Sequence, residues 1–228
     1  MRDTSTKMLT GTTANQPETQ PSATSSMDLL TGGKAAGSTA PEVPRAHESG
    51  LYLDLGCGRY KVPGTIGVDQ SLEVNPDVVC NFVEDPLPFA DDSVDGVHCR
   101  HVMEHVEDIW ALMSEVHRVL KPGARLIVEV PYWSSEGAFR DPTHVRFFSE
   151  KSFDYWDPDC ECKYYTTDGG YKVLSVEHML HPSPLIRFAA KVLGVRFLKL
   201  FNNTITGLRF TLAPVESVPV EAAGKATR

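Results

Sequence analysis

The stretch "LYLDLGCGRYKVPGTIGVD", residues 51 to 69, constrains the fold more than any other part of the chain. Its first apolar run ends in Asp54 and passes into a Gly-Cys-Gly turn, and a second apolar run ends in Asp69. Glycines allow the backbone to turn tightly and to approach a ligand closely. An acid at the carboxyl end of the second strand can accept hydrogen bonds from a ribose diol. The pattern predicts a nucleoside site at the strand ends of an α/β sheet.

Apolar runs continue along the chain and alternate with helical or loop crossovers, which indicates an α/β fold with a mostly parallel sheet. Further strands are predicted at 65–69, 77–82, 94–99, 124–131, 171–179 and 205–213, with a helix over 101–120.

A dinucleotide site fits the first loop poorly. The fingerprint needs three glycines, and Gly56 and Gly58 are followed by Lys61 where the third should stand. The connection 56–64 is also too short for a crossover helix that presents its N-terminus to a pyrophosphate. These features disfavour a dinucleotide-dependent dehydrogenase.

The pentapeptide "HVMEH", residues 101–105, matches the His-x-x-Glu-His signature of inverted zinc peptidases. On a helix, His101 and His105 would share one face, and Glu104 could act as general base. An apolar stripe at helical spacing explains the segment without a metal, with His105 at the edge of the core and Glu104 pointing away from it. The stripe comprises Val102, Val106, Ile109, Met113, Val116 and Leu120. A zinc hydrolase using His101, Glu104 and His105 is therefore an alternative function, and we predict no metal ion.

A second metal candidate is Cys160-x-Cys162. No histidine or cysteine lies at zinc-finger spacing from this pair, so a metal site there is disfavoured.

Several motifs between residues 51 and 131 occur in one order: "LDLGCG", "GVD", "DPLPFADDSVDGV", "HVMEHV" and "RVLKPGARLIVEVP". This order resembles the class I S-adenosylmethionine-dependent methyltransferases. The resemblance implies a Rossmann-like, seven-stranded, mostly parallel sheet with an antiparallel C-terminal hairpin formed by 171–179 and 205–213. It implies S-adenosylmethionine as cofactor and methyl transfer to a small-molecule acceptor by in-line displacement. A non-enzymatic binding module on the same fold is a second alternative.

The resemblance also assigns cofactor contacts position by position. Asp54, Gly56, Cys57 and Gly58 match the loop around the methionine part, Asp69 matches the acid on the ribose hydroxyls, Asn81 and Phe82 match the adenine contacts, and Cys99, Arg100 and His101 match the wall beside the methyl-bearing sulfur. The chain departs from the family at Tyr60, where a third glycine is frequent, and in its short first crossover. Arg59 or Lys61 could supply a charge for the cofactor's carboxylate.

The segment 131–153, "PYWSSEGAFRDPTHVRFFSEKSF", follows the fifth predicted strand and is long for a connection, which suggests an acceptor pocket. His144 is the candidate general base, and Asp141 is its candidate orienting partner. The alternative is structural, because Asp141 could cap the turn while His144 bonds to the backbone.

Composition limits the classes of partner and the cellular compartment that are expected for this chain. Lys and Arg total 22 against 30 Asp and Glu, a net charge of −8, which argues against a nucleic-acid substrate. Five cysteines without a disulfide-like spacing favour a reducing, cytoplasmic location. No run of 18 apolar residues predicts a transmembrane helix, and the N-terminus does not read as a secretory signal.

Three parts are expected along the chain. Residues 1–47 are rich in Ser, Thr, Ala, Pro and Gly and are expected to be a disordered leader. Residues 48–214 form the methyltransferase domain, and residues 215–228 form a flexible tail.

Residues 178–215 contain five Lys or Arg and no Asp or Glu, and within them a helix broken at Gly194 is predicted. The favoured interpretation is a core-packing helix with a solvated basic edge. The alternative is a cap that recognises an anionic or lipid-like acceptor.

Overall fold

Seven strands form a single sheet in the computed structural model, which describes residues 50–160 and 170–216. They are β1 (Tyr52–Leu55), β2 (Ile66–Asp69), β3 (Val78–Val79), β4 (Val94–Arg100), β5 (Leu120–Pro131), β6 (Gly170–Leu180) and β7 (Ile205–Val215). Their order across the sheet is β3-β2-β1-β4-β5-β7-β6. The predicted leader 1–47, Cys162 and all but the first two residues of the predicted tail lie outside the described residues.

The pairing of the strands confirms the predicted fold class. The five strands from β1 to β5 are parallel to one another. β7 lies antiparallel between β5 and β6, so β6 and β7 form the expected C-terminal hairpin. Parallel strands need both faces covered, which explains why β1 and β4 are buried along most of their length.

The predicted helix over 101–120 is wrong in its first half. The helix α1 spans Ile109–Val119, and the Asp108 carboxylate caps it by accepting a hydrogen bond from the Ala111 amide at 3.0 Å. Before it, His101 has a left-handed φ of 55° and Met103–His105 form one 3-10 turn. Val102 and Val106 are at helical spacing in the sequence, but both pack against the core from a loop.

The third predicted strand is much shorter than 77–82. It ends at Val79, because the carbonyl of Asn81 accepts hydrogen bonds from the amides of Glu84 and Asp85 and begins a turn. Asn81 and Phe82 therefore leave the sheet, which brings them to its carboxyl edge.

The core lies between the sheet and α1. The helix buries Ile109, Leu112, Met113, Val116 and Val119. At the antiparallel end of the sheet, Phe153 and Phe210 are fully buried and lie edge to face at 4.7 Å. Three further helices follow: α2 (Glu136–Arg140), α3 (Pro184–Leu193) and α4 (Val195–Leu198).

The break at Gly194 is confirmed, but α3 is not a core-packing helix. None of its residues is buried, and Leu185, Phe188 and Val192 are 74%, 65% and 61% exposed. The favoured interpretation of this segment was wrong because helical spacing reports an apolar face and not what that face contacts.

Two further predictions concern the membrane and the cysteines. Among the described residues, no helix has the length and apolarity required to cross a bilayer. Cys57, Cys80 and Cys99 are free thiols, as expected, whereas Cys160 is disulfide-bonded.

Candidate functional site

A cleft of about 290 Å³ opens at the carboxyl ends of β1, β2 and β4. Ligands of open α/β sheets bind at this edge, where loops from adjacent strands diverge. The cleft is lined by Gly56, Asp69, Gln70, Asn81, Phe82, Val83, His101, Val102, His105 and Val106.

Gly56 is required by the shape of the first loop. Its φ is +63°, and a Cβ built on it would lie 2.3 Å from Cγ2 of Val102. Its amide donates to the Val68 carbonyl at 2.8 Å, so the loop turns back across β2. Any other residue would strain this turn and clash with the cleft wall.

Asp69 ends β2 with its carboxylate at the cleft. Its Oδ2 accepts from the Gly58 amide at 3.0 Å, and its Oδ1 accepts from the Ser71 amide at 2.9 Å. A carboxylate offers about four acceptor positions, so both oxygens can still accept from a ligand. The two amides fix its orientation before a ligand arrives.

Five of the predicted cofactor residues line the cleft: Gly56, Asp69, Asn81, Phe82 and His101. The others, Asp54, Cys57, Gly58, Cys99 and Arg100, are not part of its lining. They surround the loop or lie beneath it.

The contacts of three of these residues show what they do instead. Asp54 is buried, and its Oδ2 accepts from the Val62 amide at 2.8 Å, which holds the first crossover against β1. Cys99 is fully buried, and burial raises the pKa of its thiol. Arg100 donates from its guanidinium to the Tyr60 carbonyl at 2.9 Å. These contacts stabilise the loop that forms one wall of the cleft.

Lys61, considered as a charge for the cofactor, has another partner. Its Nζ lies 2.6 Å from Oδ2 of Asp77, and this ion pair lowers the pKa of Asp77. Arg59 is exposed.

A buried charge network crosses the sheet beside this loop. Nδ1 of His98 lies 3.5 Å from Oδ1 of Asp54, and Nε2 lies 3.5 Å from Oε1 of Glu129. Arg209 approaches the same Glu129 oxygen at 2.7 Å. Burial opposes ionisation of Glu129, but His98 and Arg209 outweigh it and lower its pKa to about 2.

The loops after β4 and β5 are joined at the far end of the cleft. The amides of Val145 and Arg146 donate to the Glu104 carbonyl at 2.8 and 3.2 Å. The Arg146 guanidinium donates to the carbonyls of Val106, at 2.8 Å, and Glu107. These bonds bring residues 143–146 against residues 104–107.

The joined loops bring together Glu104, His105 and His144. One carboxylate oxygen of Glu104 and one ring nitrogen of each histidine all lie within 4.8 Å of one another. The two imidazole rings meet edge to face with centroids 4.7 Å apart. The cluster adjoins the cleft because His105 is part of the cleft lining.

The expected positions of Glu104 and His105 are reversed. Glu104 is 1% exposed and places Oε1 3.0 Å from Nδ1 of His101, whereas the ring of His105 is exposed. The expectation assumed a continuous helix, and the 3-10 turn rotates both side chains. His101 and His105 also do not share a helix face, which removes the geometric premise of the zinc hydrolase alternative.

His144 and Asp141 do not contact each other as predicted. Nδ1 of His144 lies 2.9 Å from the Ala138 carbonyl, which can only accept, so this nitrogen carries the proton. Oδ1 of Asp141 accepts from the Thr143 amide at 2.9 Å and from its hydroxyl at 2.7 Å, which lowers the pKa of Asp141. The bonds are those of the structural alternative, and in the neutral ring of His144 they place the lone pair on Nε2.

Sequence reasoning missed Gln70, Val83, Val102, His105 and Val106 as lining residues. The first two follow predicted contacts by one position, so neighbourhood along the chain was a usable signal. The last three were assigned to a helix, and no local signal marks them as a cleft wall.

Comparison with known proteins shows which proteins the chain is similar to. Residues 53–128, from β1 into β5, match the family profile of a methyltransferase domain. The uncharacterized methyltransferase YcgJ of Bacillus subtilis is 36% identical over 81 residues, 31% of this chain and 30% of that protein. The uncharacterized protein YafE of Escherichia coli is 38% identical over 73 residues, 28% of this chain and 35% of that protein. The chain thus spans about a third of the length of these curated relatives.

A solved structure extends the similarity to three quarters of the chain. The crystal structure of a SAM-dependent methyltransferase from Archaeoglobus fulgidus has a TM-score of 0.55 and 18% identity, and covers 75% of this chain and 89% of that chain. At this identity the likeness establishes the fold. Over residues 53–128 the chain is therefore similar to methyltransferase domains, and its fold is similar to that of the Archaeoglobus fulgidus protein.

Proposed function

We propose that the protein transfers a methyl group from S-adenosylmethionine to a small-molecule acceptor. The observation that carries the proposal is Asp69, which ends β2 at the cleft with both oxygens oriented and able to accept further hydrogen bonds. A carboxylate in this place suits the two ribose hydroxyls of a nucleoside. The methyltransferase domain match and the SAM-dependent relative of similar fold support the identity of that nucleoside.

The remaining roles follow from position. Gly56 allows the cofactor to approach the loop backbone, and Asn81 and Phe82 offer a polar group and an apolar face for adenine. His101 lies where the sulfonium end of the cofactor would point toward the acceptor. Asp54, Cys57, Gly58, Cys99 and Arg100 hold the loop and its support in our proposal, and contact the cofactor at most through their backbone.

Methyl transfer is an in-line displacement, so the main task of the protein is alignment and the exclusion of water. When the acceptor must lose a proton, His144 is the proposed base. The Ala138 carbonyl fixes its tautomer, so Nε2 presents a lone pair. Asp141 contributes indirectly, because it holds Thr143, which bonds to His105.

Calorimetry with S-adenosylhomocysteine, the demethylated product, tests the proposal. Wild-type protein should bind it, and Asp69→Asn should weaken binding about 10- to 100-fold, since a charge-assisted hydrogen bond contributes roughly 1.5 to 3 kcal/mol. Glu73→Gln, an exposed acid four residues away, is the matched control and should bind normally. Failure of the wild-type protein to bind either S-adenosylmethionine or its product would refute the function.

We further propose that the acceptor is anionic or lipid-like and is met at a membrane surface. The exposed apolar face of α3 continues through α4 to Leu200 and Phe201, which are 75% and 49% exposed. Arg187, Lys191 and Arg196 accompany that face in a segment without acids, in a chain of net charge −8. An amphipathic helix of this kind binds an anionic bilayer through its apolar face and its basic side chains together.

Vesicle co-sedimentation separates this proposal from a purely structural role. Protein should sediment with phosphatidylglycerol vesicles and not with phosphatidylcholine vesicles, and Arg187→Glu with Lys191→Glu should abolish sedimentation. Lys151→Glu, an exposed lysine outside the segment, should have little effect. Equal behaviour toward both lipids would exclude the membrane role and leave a soluble acceptor.

A further inference from the structure

We infer that Glu104, His105 and His144 form a binding site for a divalent transition-metal ion beside the cofactor cleft. One ligand atom from each residue lies within 4.8 Å of the others. Two imidazoles and one carboxylate are a ligand set that suits Zn²⁺ and Fe²⁺ and leaves coordination positions open for a small molecule. The inference rests on the proposed function for its purpose and on these three side chains for its existence.

Both histidines are already oriented as metal ligands are. Nδ1 of His144 donates to the Ala138 carbonyl at 2.9 Å. Nδ1 of His105 lies 2.9 Å from Oγ1 of Thr143, and that hydroxyl gives its own hydrogen to Asp141, so it accepts from the histidine. Metal-bound histidines typically donate their second ring N–H to such a carbonyl or oxygen partner. In each ring the lone pair is therefore on Nε2.

Glu104 supplies an independent observation. The residue is 1% exposed, and its Oε1 is 3.0 Å from Nδ1 of His101. Its Oε2 is buried and has no hydrogen-bond partner among the described residues. A buried carboxylate oxygen without a partner is costly, and buried charges are normally paired or bound to a metal. A cation between Glu104 and the two imidazoles would satisfy it.

The geometry requires only a small contraction. Ligand atoms about 2.0 to 2.2 Å from a metal ion lie roughly 3 to 3.5 Å from one another. The present separations are at most 4.8 Å, so rotation of exposed His105 and half-exposed His144 toward the buried carboxylate would close the site. The backbone bonds that join residues 143–146 to Glu104 hold the two loops in place during this rotation.

The position of the site defines its use. His105 lines the cleft, so an ion held by it faces the acceptor end of the cofactor. An acceptor oxygen bound to the ion would lose its proton to water more readily, because a metal ion lowers the pKa of a bound hydroxyl. The resulting oxygen anion attacks the methyl carbon while the carbon–sulfur bond breaks and S-adenosylhomocysteine leaves. His144 then acts as a ligand, and the ion replaces it as the source of activation.

Titration calorimetry of the full chain with zinc chloride tests the site. Wild-type protein should bind close to one Zn²⁺ per chain and should not bind Mg²⁺, which prefers oxygen ligands. His144→Gln, His105→Gln and Glu104→Gln should each weaken Zn²⁺ binding by more than the roughly 10- to 100-fold that loss of an outer-sphere partner causes. His181→Gln and Glu107→Gln, the same substitutions outside the cluster, should bind Zn²⁺ as wild type does.

Measurements of folding and of cofactor binding distinguish failure of the metal site from failure of the proposed function. His144→Gln lies outside the cleft lining and should retain normal S-adenosylhomocysteine affinity and melting temperature in the absence of zinc. Should Glu104→Gln fail to fold, the two histidine variants decide. The absence of stoichiometric Zn²⁺ binding, or equal binding in wild type and the histidine variants, would overturn the site. Either result would leave the expected binding of S-adenosylhomocysteine by the wild-type protein unaffected. Failure of the wild-type protein to bind the cofactor or its product would instead refute the proposed function.

Discussion

His98 links three neighbouring strands through charge. It lies on β4, between Asp54 of β1 and Glu129 of β5, and is 6% exposed. Burial alone would lower the pKa of His98, but the two carboxylates outweigh it and raise that pKa above its ordinary value. At 3.5 Å these contacts are ion pairs more than well-formed hydrogen bonds. When it is protonated, His98 places one positive charge between two buried carboxylates, and Arg209 supplies a second positive charge beside Glu129.

This arrangement makes stability depend on pH in a defined direction. A raised pKa in the folded state adds stability that is complete below about pH 6.5, the value of an unperturbed histidine, and is lost as the pH rises through the folded-state pKa. We expect the unfolding free energy of wild type to fall above pH 6.5, by at most about 1.4 kcal/mol per pH unit for this single group. Urea denaturation at successive pH values measures it.

His98→Gln isolates the contribution of the histidine. The difference in unfolding free energy between wild type and this variant should be largest near pH 6 and should shrink toward pH 9. Parallel pH profiles would contradict the assignment. Glu129 affects stability at low pH. Its lowered pKa adds stability that is lost as the pH falls toward about 2.

Among the structural elements, Arg146 connects the loop after β4 to the loop after β5. Its guanidinium donates to the carbonyls of Val106 and Glu107, and its amide donates to the carbonyl of Glu104. A planar guanidinium can reach two carbonyls at once, which a lysine cannot reproduce. The distance between His144 and its neighbours in the cluster depends on this connection.

Replacement of Arg146 should affect the cluster of Glu104, His105 and His144 but not cofactor binding. Arg146→Gln should weaken Zn²⁺ binding about 10-fold or more, as loss of outer-sphere support does, and should lower turnover. It should leave S-adenosylhomocysteine affinity nearly unchanged, because Arg146 does not line the cleft. Paired calorimetric titrations, with Lys151→Gln as control, measure both affinities. A parallel loss of cofactor binding would show that the loops fold as one unit with the cleft.

Most of the strands and the position of the cleft were predictable because their signals are local. β1, β2 and the β6–β7 hairpin occur where apolar runs are closely followed by, or end in, glycine, proline or aspartate. Asp69 follows its strand directly, so its place at the sheet edge follows from strand direction alone. Elements whose burial and boundaries are set by neighbouring residues gave correct predictions.

The cluster of Glu104, His105 and His144 was not predictable, because it depends on contacts between distant segments. His105 and Thr143 are 38 positions apart, and no periodicity relates them. The helix over 101–120 failed for a related reason. Apolar spacing cannot distinguish a helical turn from a loop that packs on the same surface, and the Asp108 cap decided the boundary.

For the whole molecule, the core that the structure describes is formed by residues of the central part of the chain. Buried apolar residues of the described part run from Leu53 to Leu212, and the compact unit that contains them spans residues 43–228. We propose on this basis that the expected leader 1–47 adds little to the folding of the methyltransferase domain 48–214. The tail from residue 215 is expected to be equally dispensable beyond the end of β7.

Truncation tests this division of the chain. Deletion of residues 1–42 should change the melting temperature by less than the 2 to 4 °C that about 1 kcal/mol produces in a domain of this size. The affinity for S-adenosylhomocysteine should also stay near the wild-type value, because every residue that lines the cleft lies between 56 and 106. A chain that ends at residue 204 is the contrasting control and should not fold, since it removes β7 from between β5 and β6. A large loss of cofactor affinity without loss of stability would instead mean that the leader docks over the cleft as part of the active enzyme.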